Sequence, residues 1–221
     1  MTSRAPRVTF RGKGKTKSDR KRQARNNEQL GNARAFTDDS NVIPLPSKPV
    51  APFAPMNRNQ ALYAKSIRSN IVTFGLGIFG TGKTYVAVRA GCEMFSAGKI
   101  ERMIFSRPAT GAEEELGFFT GDINEKYANW VSPIRLILDA TLGASRVEYL
   151  IKRDVISFQP FATMRGHSWP KTFTMLDEAQ STTHGQMKLF LSRTGEGSTV
   201  VVNGDPVDQK DHQNWSGIED A

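Results

Sequence analysis

The 221-residue sequence contains a single cysteine, Cys92, and only three histidines, His167, His184 and His212. One thiol excludes an intramolecular disulfide framework, and so few soft ligands argue against a zinc centre built from cysteine and histidine. No stretch approaches the run of about 18 apolar residues that a membrane-spanning helix needs. The amino terminus also lacks the apolar core of a secretory signal. A cytoplasmic protein with no membrane partner is the simplest expectation. Acidic residues are nearly missing from residues 1–25, where Asp19 stands against ten arginines and lysines. That segment carries +9 while the whole chain carries +8, so the rest sums to −1.

Large apolar side chains are scarce over residues 1–40, which predicts a disordered basic tail. Residues 41–56 carry Pro44, Pro46, Pro49, Pro52 and Pro55 and predict an extended, semi-rigid linker. An ordered domain is then expected over residues 57–221. A cation-dense tail is a ready electrostatic contact for phosphate backbones, which points to nonspecific RNA or single-stranded DNA binding. Phe10 is its only aromatic residue among the first 25, too little for a base-stacking platform. A solubilising tail or a processed leader is the alternative.

Residues 77–84 read Gly77-Ile78-Phe79-Gly80-Thr81-Gly82-Lys83-Thr84, followed by Tyr85. They match the phosphate-binding loop pattern G-x-x-x-x-G-K-[ST], the Walker A motif. The apolar run Ile71-Val72-Thr73-Phe74 precedes the loop as a predicted strand, and Val86, Ala87, Ala90 and Met94 follow at helical spacing. A strand feeding a glycine loop that opens a helix turns successive N–H groups toward one point, where the helix dipole also favours an anion. Lys83 then supplies an ammonium for the β- and γ-phosphates, and Thr84 a hydroxyl for Mg²⁺. Residues 77–85 are thus the expected cradle of a nucleoside triphosphate.

Beyond the loop, short β-branched or aromatic runs predict strands at 71–75, 102–106, 154–158, 172–176 and 199–203. Helices are predicted at 59–68, 83–97, 124–141, 146–152 and 183–193. Strands separated by helical segments indicate an α/β fold, a mostly parallel sheet with helices on both faces. The apolar strand 172–176 ends in Asp177-Glu178. Residues just beyond strand carboxyl ends line the ligand crevice of such sheets. The pair fits a metal carboxylate (Asp177) beside a carboxylate that activates water (Glu178), the Walker B arrangement. Asp205, after the strand 199–203, is either a γ-phosphate sensor at the same edge or part of a turn. Arg107, after strand 102–106, either reaches a phosphate or polynucleotide or merely ends its strand.

Taken together, these segments resemble the PhoH family of phosphate-starvation-induced ATPases. The resemblance rests on Gly80-Thr81-Gly82-Lys83-Thr84-Tyr85, Ser106-Arg107-Pro108-Ala109, Leu116-Gly117-Phe118, Gly121-Asp122 and Glu125-Lys126. It continues through Met164-Arg165-Gly166, Leu176-Asp177-Glu178-Ala179-Gln180, Gln186-Met187-Lys188, Gly204-Asp205 and Ser216-Gly217. It implies a RecA-like core similar to the first motor domain of superfamily 1 helicases, in which Gln60 would read the adenine edge. It further implies ATP and Mg²⁺ as ligands and a helicase-like ATPase coupled to nucleic acid. Lys83, Glu178 and Asp205 would be its catalytic residues, Thr84 and Asp177 its metal ligands, and a homo-oligomer its working state. Asp208 stands where helicase-like relatives place a glutamine. The alternative is an ATP-responsive assembly switch with negligible hydrolysis.

Overall fold

The computed structural model describes residues 50–108 and 131–205. The predicted tail, most of the linker, the blocks at 116–126, Asp208 and Ser216-Gly217 lie outside the described residues.

The first described helix, α1 (Arg58–Ser69), starts where Asn57 accepts the backbone N–H of Gln60 at 2.9 Å, the side-chain capping expected of Asn before a helix. Strand β1 (Val72–Leu76) leads through the glycine loop into α2 (Lys83–Ser96). Strand β2 (Arg102–Ser106) precedes α3 (Ser132–Leu142), α4 (Ala144–Lys152) and β3 (Ile156–Phe158). Strand β4 (Thr172–Leu176), α5 (His184–Leu191) and β5 (Thr199–Gly204) complete the described elements.

All described pairings are parallel, in the order β1-β5-β4-β2-β3. The predicted α/β architecture is therefore present, and its five described strands are parallel throughout. Two boundaries move for local reasons. Asp154 adopts a left-handed φ of 54°, which ends the turn after α4 and delays β3 to Ile156. Helix α3 starts at Ser132 after Val131, with Pro133 in its first turn, where proline's missing N–H costs no helical bond.

Alternation along the strands divides the core into two layers. Met103, Phe105, Phe173, Met175 and Val201 face Ile67 of α1, Ala87 and Ala90 of α2, Leu138 of α3 and Val147 of α4. Ile104, Leu176, Val200 and Val202 face Met187 and Phe190 of α5, together with Phe161, Met164 and Trp169. Strands buried on both faces explain the near-continuous apolar runs of β4 and β5. Helix α2 lies close on the sheet because Gly91 meets the Phe173 ring, which a Cβ would approach to 2.9 Å. The consequence for function is placement. The loop after β1, Asp177 after β4 and Asp205 after β5 all emerge at one edge of the sheet.

Candidate functional site

Gly77 donates its N–H to the Gly204 carbonyl at 3.2 Å, so the start of the loop is anchored on β5. Gly82 holds the N-cap of α2 with a left-handed φ of 84°, a conformation that strains any residue with a Cβ. No side chain caps this helix and its first turn has no acid. Its amino-terminal N–H groups and dipole are therefore left to an external anion. Thr81 Oγ1 donates to the Ile78 carbonyl at 2.9 Å and tightens the loop. Lys83 Nζ donates to the carbonyls of Gly77 at 2.5 Å and Ile78 at 2.9 Å. The ammonium thus sits inside the loop, on oxygens that it would exchange for phosphate oxygens.

Thr84 Oγ1 lies 2.9 Å from Asp177 Oδ1 and 3.0 Å from Oδ2. The two proposed metal ligands, distant in sequence, are therefore in direct contact. Asp177 is only 4 % exposed. Burial, and next the charge of Glu178, push its carboxyl above the usual carboxylate range, while hydrogen bonds from Thr84 and Asn203 pull the other way. A buried carboxylate beside a hydroxyl is a hard-oxygen donor pair that suits Mg²⁺, which takes one or two carboxylates and completes its shell with water and phosphate. Among the described residues no group of three or more His, Cys, Asp or Glu is placed to hold a metal.

Glu178 sits next to Asp177 with φ 55° and ψ 43°. This left-handed conformation is uncommon for a residue other than glycine. Its Oε2 accepts from Gln180 Nε2 at 2.8 Å, and its Oε1 faces Arg107 Nη2 at 3.4 Å. Gln180 also accepts the backbone N–H of Asp205 through Oε1 at 3.0 Å, linking the ends of β4 and β5.

A cavity of about 760 Å³ collects these groups. Phe79, Gly80, Gly82, Lys83, Thr84 and Tyr85 line one side, and Arg107, Asp177, Glu178, Gln180, Asn203 and Asp205 another. A second cavity of about 750 Å³ shares Gly80 and Lys83 with it and contains Gln60, Gly77, Ile78 and Thr81. Gln60 donates to the Thr81 carbonyl at 3.2 Å and accepts from the Met56 N–H at 2.9 Å, so it touches the loop directly. Tyr85 stacks edge-on with Phe53, centroids 6.1 Å apart. Every residue assigned to the site from sequence therefore lines one of two adjoining cavities.

The residues that sequence reasoning left without a role are Asn203 and Gln180. Asn203 is fully buried at the end of Val200-Val201-Val202 and donates Nδ2 to Asp177 Oδ1 at 3.3 Å. A lone amide in an otherwise apolar strand was its only visible signal. Gln180 follows the acidic pair by two positions, a spacing with no general signature.

Comparison with known proteins gives one consistent result. A family profile described as PhoH-like protein matches residues 52–221. The Escherichia coli (strain K12) protein named Protein PhoH is 39% identical over 161 residues, covering 72% of this chain and 46% of the relative. A Bacillus subtilis PhoH-like protein is 42% identical over 146 residues, covering 66% and 46%. A Synechocystis PhoH-like protein is 37% identical over 164 residues, covering 73% and 50%. The chain spans about half the length of these relatives. Among the described residues no helix is long and apolar enough to cross a membrane.

Proposed function

The chain belongs to the PhoH-like protein family of P-loop NTPases, and from that premise we propose that it binds ATP with Mg²⁺ in this cleft and hydrolyses it. The observation that carries the reading is the Thr84–Asp177 contact of 2.9 Å, at the end of the loop and beside Glu178. A hydroxyl in contact with a buried carboxylate, and a second carboxylate lining the same cavity, support a metal site beside a proton acceptor.

Loop N–H groups and Lys83 take the phosphates, Lys83 leaving the Gly77 and Ile78 carbonyls as it does so. Thr84 and Asp177 hold the metal. Mg²⁺, when bound, neutralises charge on the β- and γ-phosphates. Glu178 orients the attacking water and accepts its proton. Asp205, hydrogen-bonded to Gln180 through its backbone N–H, senses the γ-phosphate side of the cavity. Gln60 selects adenine from the adjoining cavity by exchanging its loop contact for the base edge.

One observation favours a second reading, an ATP-responsive switch with negligible hydrolysis. Both carboxylate oxygens of Glu178 face donors, Gln180 at 2.8 Å and Arg107 at 3.4 Å, and these compete with water for its lone pairs and weaken it as a base. Mg²⁺-dependent phosphate release from ATP by the purified chain separates the two. Turnover supports the hydrolase, and tight Mg²⁺-ATP binding without turnover supports the switch.

The proposal extends to a homo-oligomer and to nonspecific RNA or single-stranded DNA, held by the ten cations of residues 1–25. Deleting residues 1–25 is expected to weaken single-strand binding at low salt and to flatten its salt dependence, since each lost phosphate contact removes about 0.7 from the log–log slope. ATP affinity should not change. Equal nucleic-acid binding by the shortened chain in a salt titration would sink the tail's role.

A further inference from the structure

Helix α1 reaches the metal carboxylate by a second route, through the hydroxyl of Tyr63. We propose that Tyr63 and Asn203 are positioning residues that couple base recognition at Gln60 to metal binding at Asp177. The inference rests on the ATP·Mg²⁺ reading of the cleft and adds a linkage between its two ends.

The geometry is directional. Tyr63 donates its hydroxyl to Asn203 Oδ1, which leaves Nδ2 of the same amide to donate to Asp177 Oδ1 at 3.3 Å. Reversing the amide would set its oxygen against the carboxylate, so the phenol fixes the orientation that Asp177 needs. Asn203 is fully buried and Asp177 nearly so, and hydrogen bonds in such surroundings are less screened than in water. Gly75 leaves the room required, because a Cβ there would overlap both the Tyr63 hydroxyl and Asn203 Oδ1.

Tyr63 lies three residues after Gln60, on the same side of α1. Gln60 donates to the Thr81 carbonyl of the phosphate loop at 3.2 Å. One rigid helix therefore touches the loop at one point and, through Asn203, the metal carboxylate at another. A base that engages Gln60 acts on the element that orients Asp177. By reciprocity the metal should also sharpen the choice of base. A merely structural Tyr–Asn contact would hold the fold without linking these two affinities.

The test uses the full chain and fluorescent, non-hydrolysable analogues of ATP and GTP, titrated with Mg²⁺ and with EDTA. In the wild type, Mg²⁺ should tighten the adenine analogue more than the guanine analogue. Tyr63→Phe should cut the Mg²⁺ enhancement for the adenine analogue about five-fold, the size of one ordinary hydrogen bond, and erase the adenine preference of that enhancement. Affinity in EDTA should stay at the wild-type value. Asn203→Ala should do the same, and the double variant should be no worse than Asn203→Ala alone, as expected for residues acting in series. If Asn203→Ala unfolds, Tyr63→Phe decides alone, since it removes only an oxygen. Wild-type Mg²⁺ enhancement in Tyr63→Phe, or equal loss with and without Mg²⁺, overturns the coupling while leaving the cleft intact. Absence of Mg²⁺-dependent binding by the wild type overturns the cleft reading and the coupling together.

Discussion

Glu178→Gln is expected to lower ATP turnover by about 10²–10⁴-fold, the usual contribution of a positioned general base, with nucleotide affinity nearly unchanged. The amide has the shape of the carboxylate and keeps an oxygen for Gln180 Nε2, now 2.8 Å from Glu178 Oε2. What it loses is the ability to take a proton from water. Affinity should survive because the proposed metal ligands are Thr84 and Asp177, and the proposed phosphate ligands are Lys83 and the loop N–H groups. Stability should also survive. The Glu178 side chain is 43% exposed and its ion pair with Arg107 is long at 3.4 Å, so losing that pair costs little in solvent. Single-turnover phosphate release, with thermal unfolding as a control, reads both expectations. Wild-type turnover in the variant would assign the proton to another group, and Asp205 would be the next to replace.

The reason that Glu178 was legible from sequence is local. An apolar strand ending in two acids, downstream of a phosphate loop, carries its own context. The loop itself was read on the same terms, as were β2 and β4, whose predicted spans equal the observed Arg102–Ser106 and Thr172–Leu176. Strand order was not legible. That β5 lies between β1 and β4 follows from how the layers pack, which no single segment encodes. Yet this insertion sets Asn203 beside Asp177 and the Gly204 carbonyl beside the loop. Tyr63 was invisible for a related reason. It acts through one hydrogen bond to a residue far away in sequence and leaves no periodic trace. The position of Lys83 on its own loop carbonyls is likewise a matter of conformation, since the motif specifies the residue and leaves its rotamer open.

Asp177→Asn is expected to raise the melting temperature of the nucleotide-free protein at pH values where the wild-type carboxyl is ionised, while weakening its response to Mg²⁺. Burial lifts the folded-state carboxyl of Asp177 above its ordinary range, with the Glu178 charge adding to the effect. A carboxyl raised on folding contributes stability that is present below its unfolded pKa and is lost as pH rises through the raised folded value. Above that raised value the ionised group therefore weighs against the fold, and an amide of the same shape removes that weight. Thr84 and Asn203 both donate to this carboxylate and offset part of the cost, so the gain should be modest. Each kcal/mol relieved should raise the melting temperature by about 2–4 °C for a protein of this size. Measured in EDTA, the difference between variant and wild type should be largest above the raised pKa and shrink as pH falls through it, where the wild-type carboxyl becomes neutral as well. The functional cost is on the metal side. Loss of the carboxylate should weaken the Mg²⁺ enhancement of ATP binding by at least about 10-fold, since removing even a group that only supports a metal ligand costs about 10–100-fold. A more stable protein with a poorer metal response is the expected trade at a site whose charge is kept for function. A variant less stable than wild type above the raised pKa, with its Mg²⁺ response intact, would instead make Asp177 a structural partner of Thr84 and move the metal elsewhere.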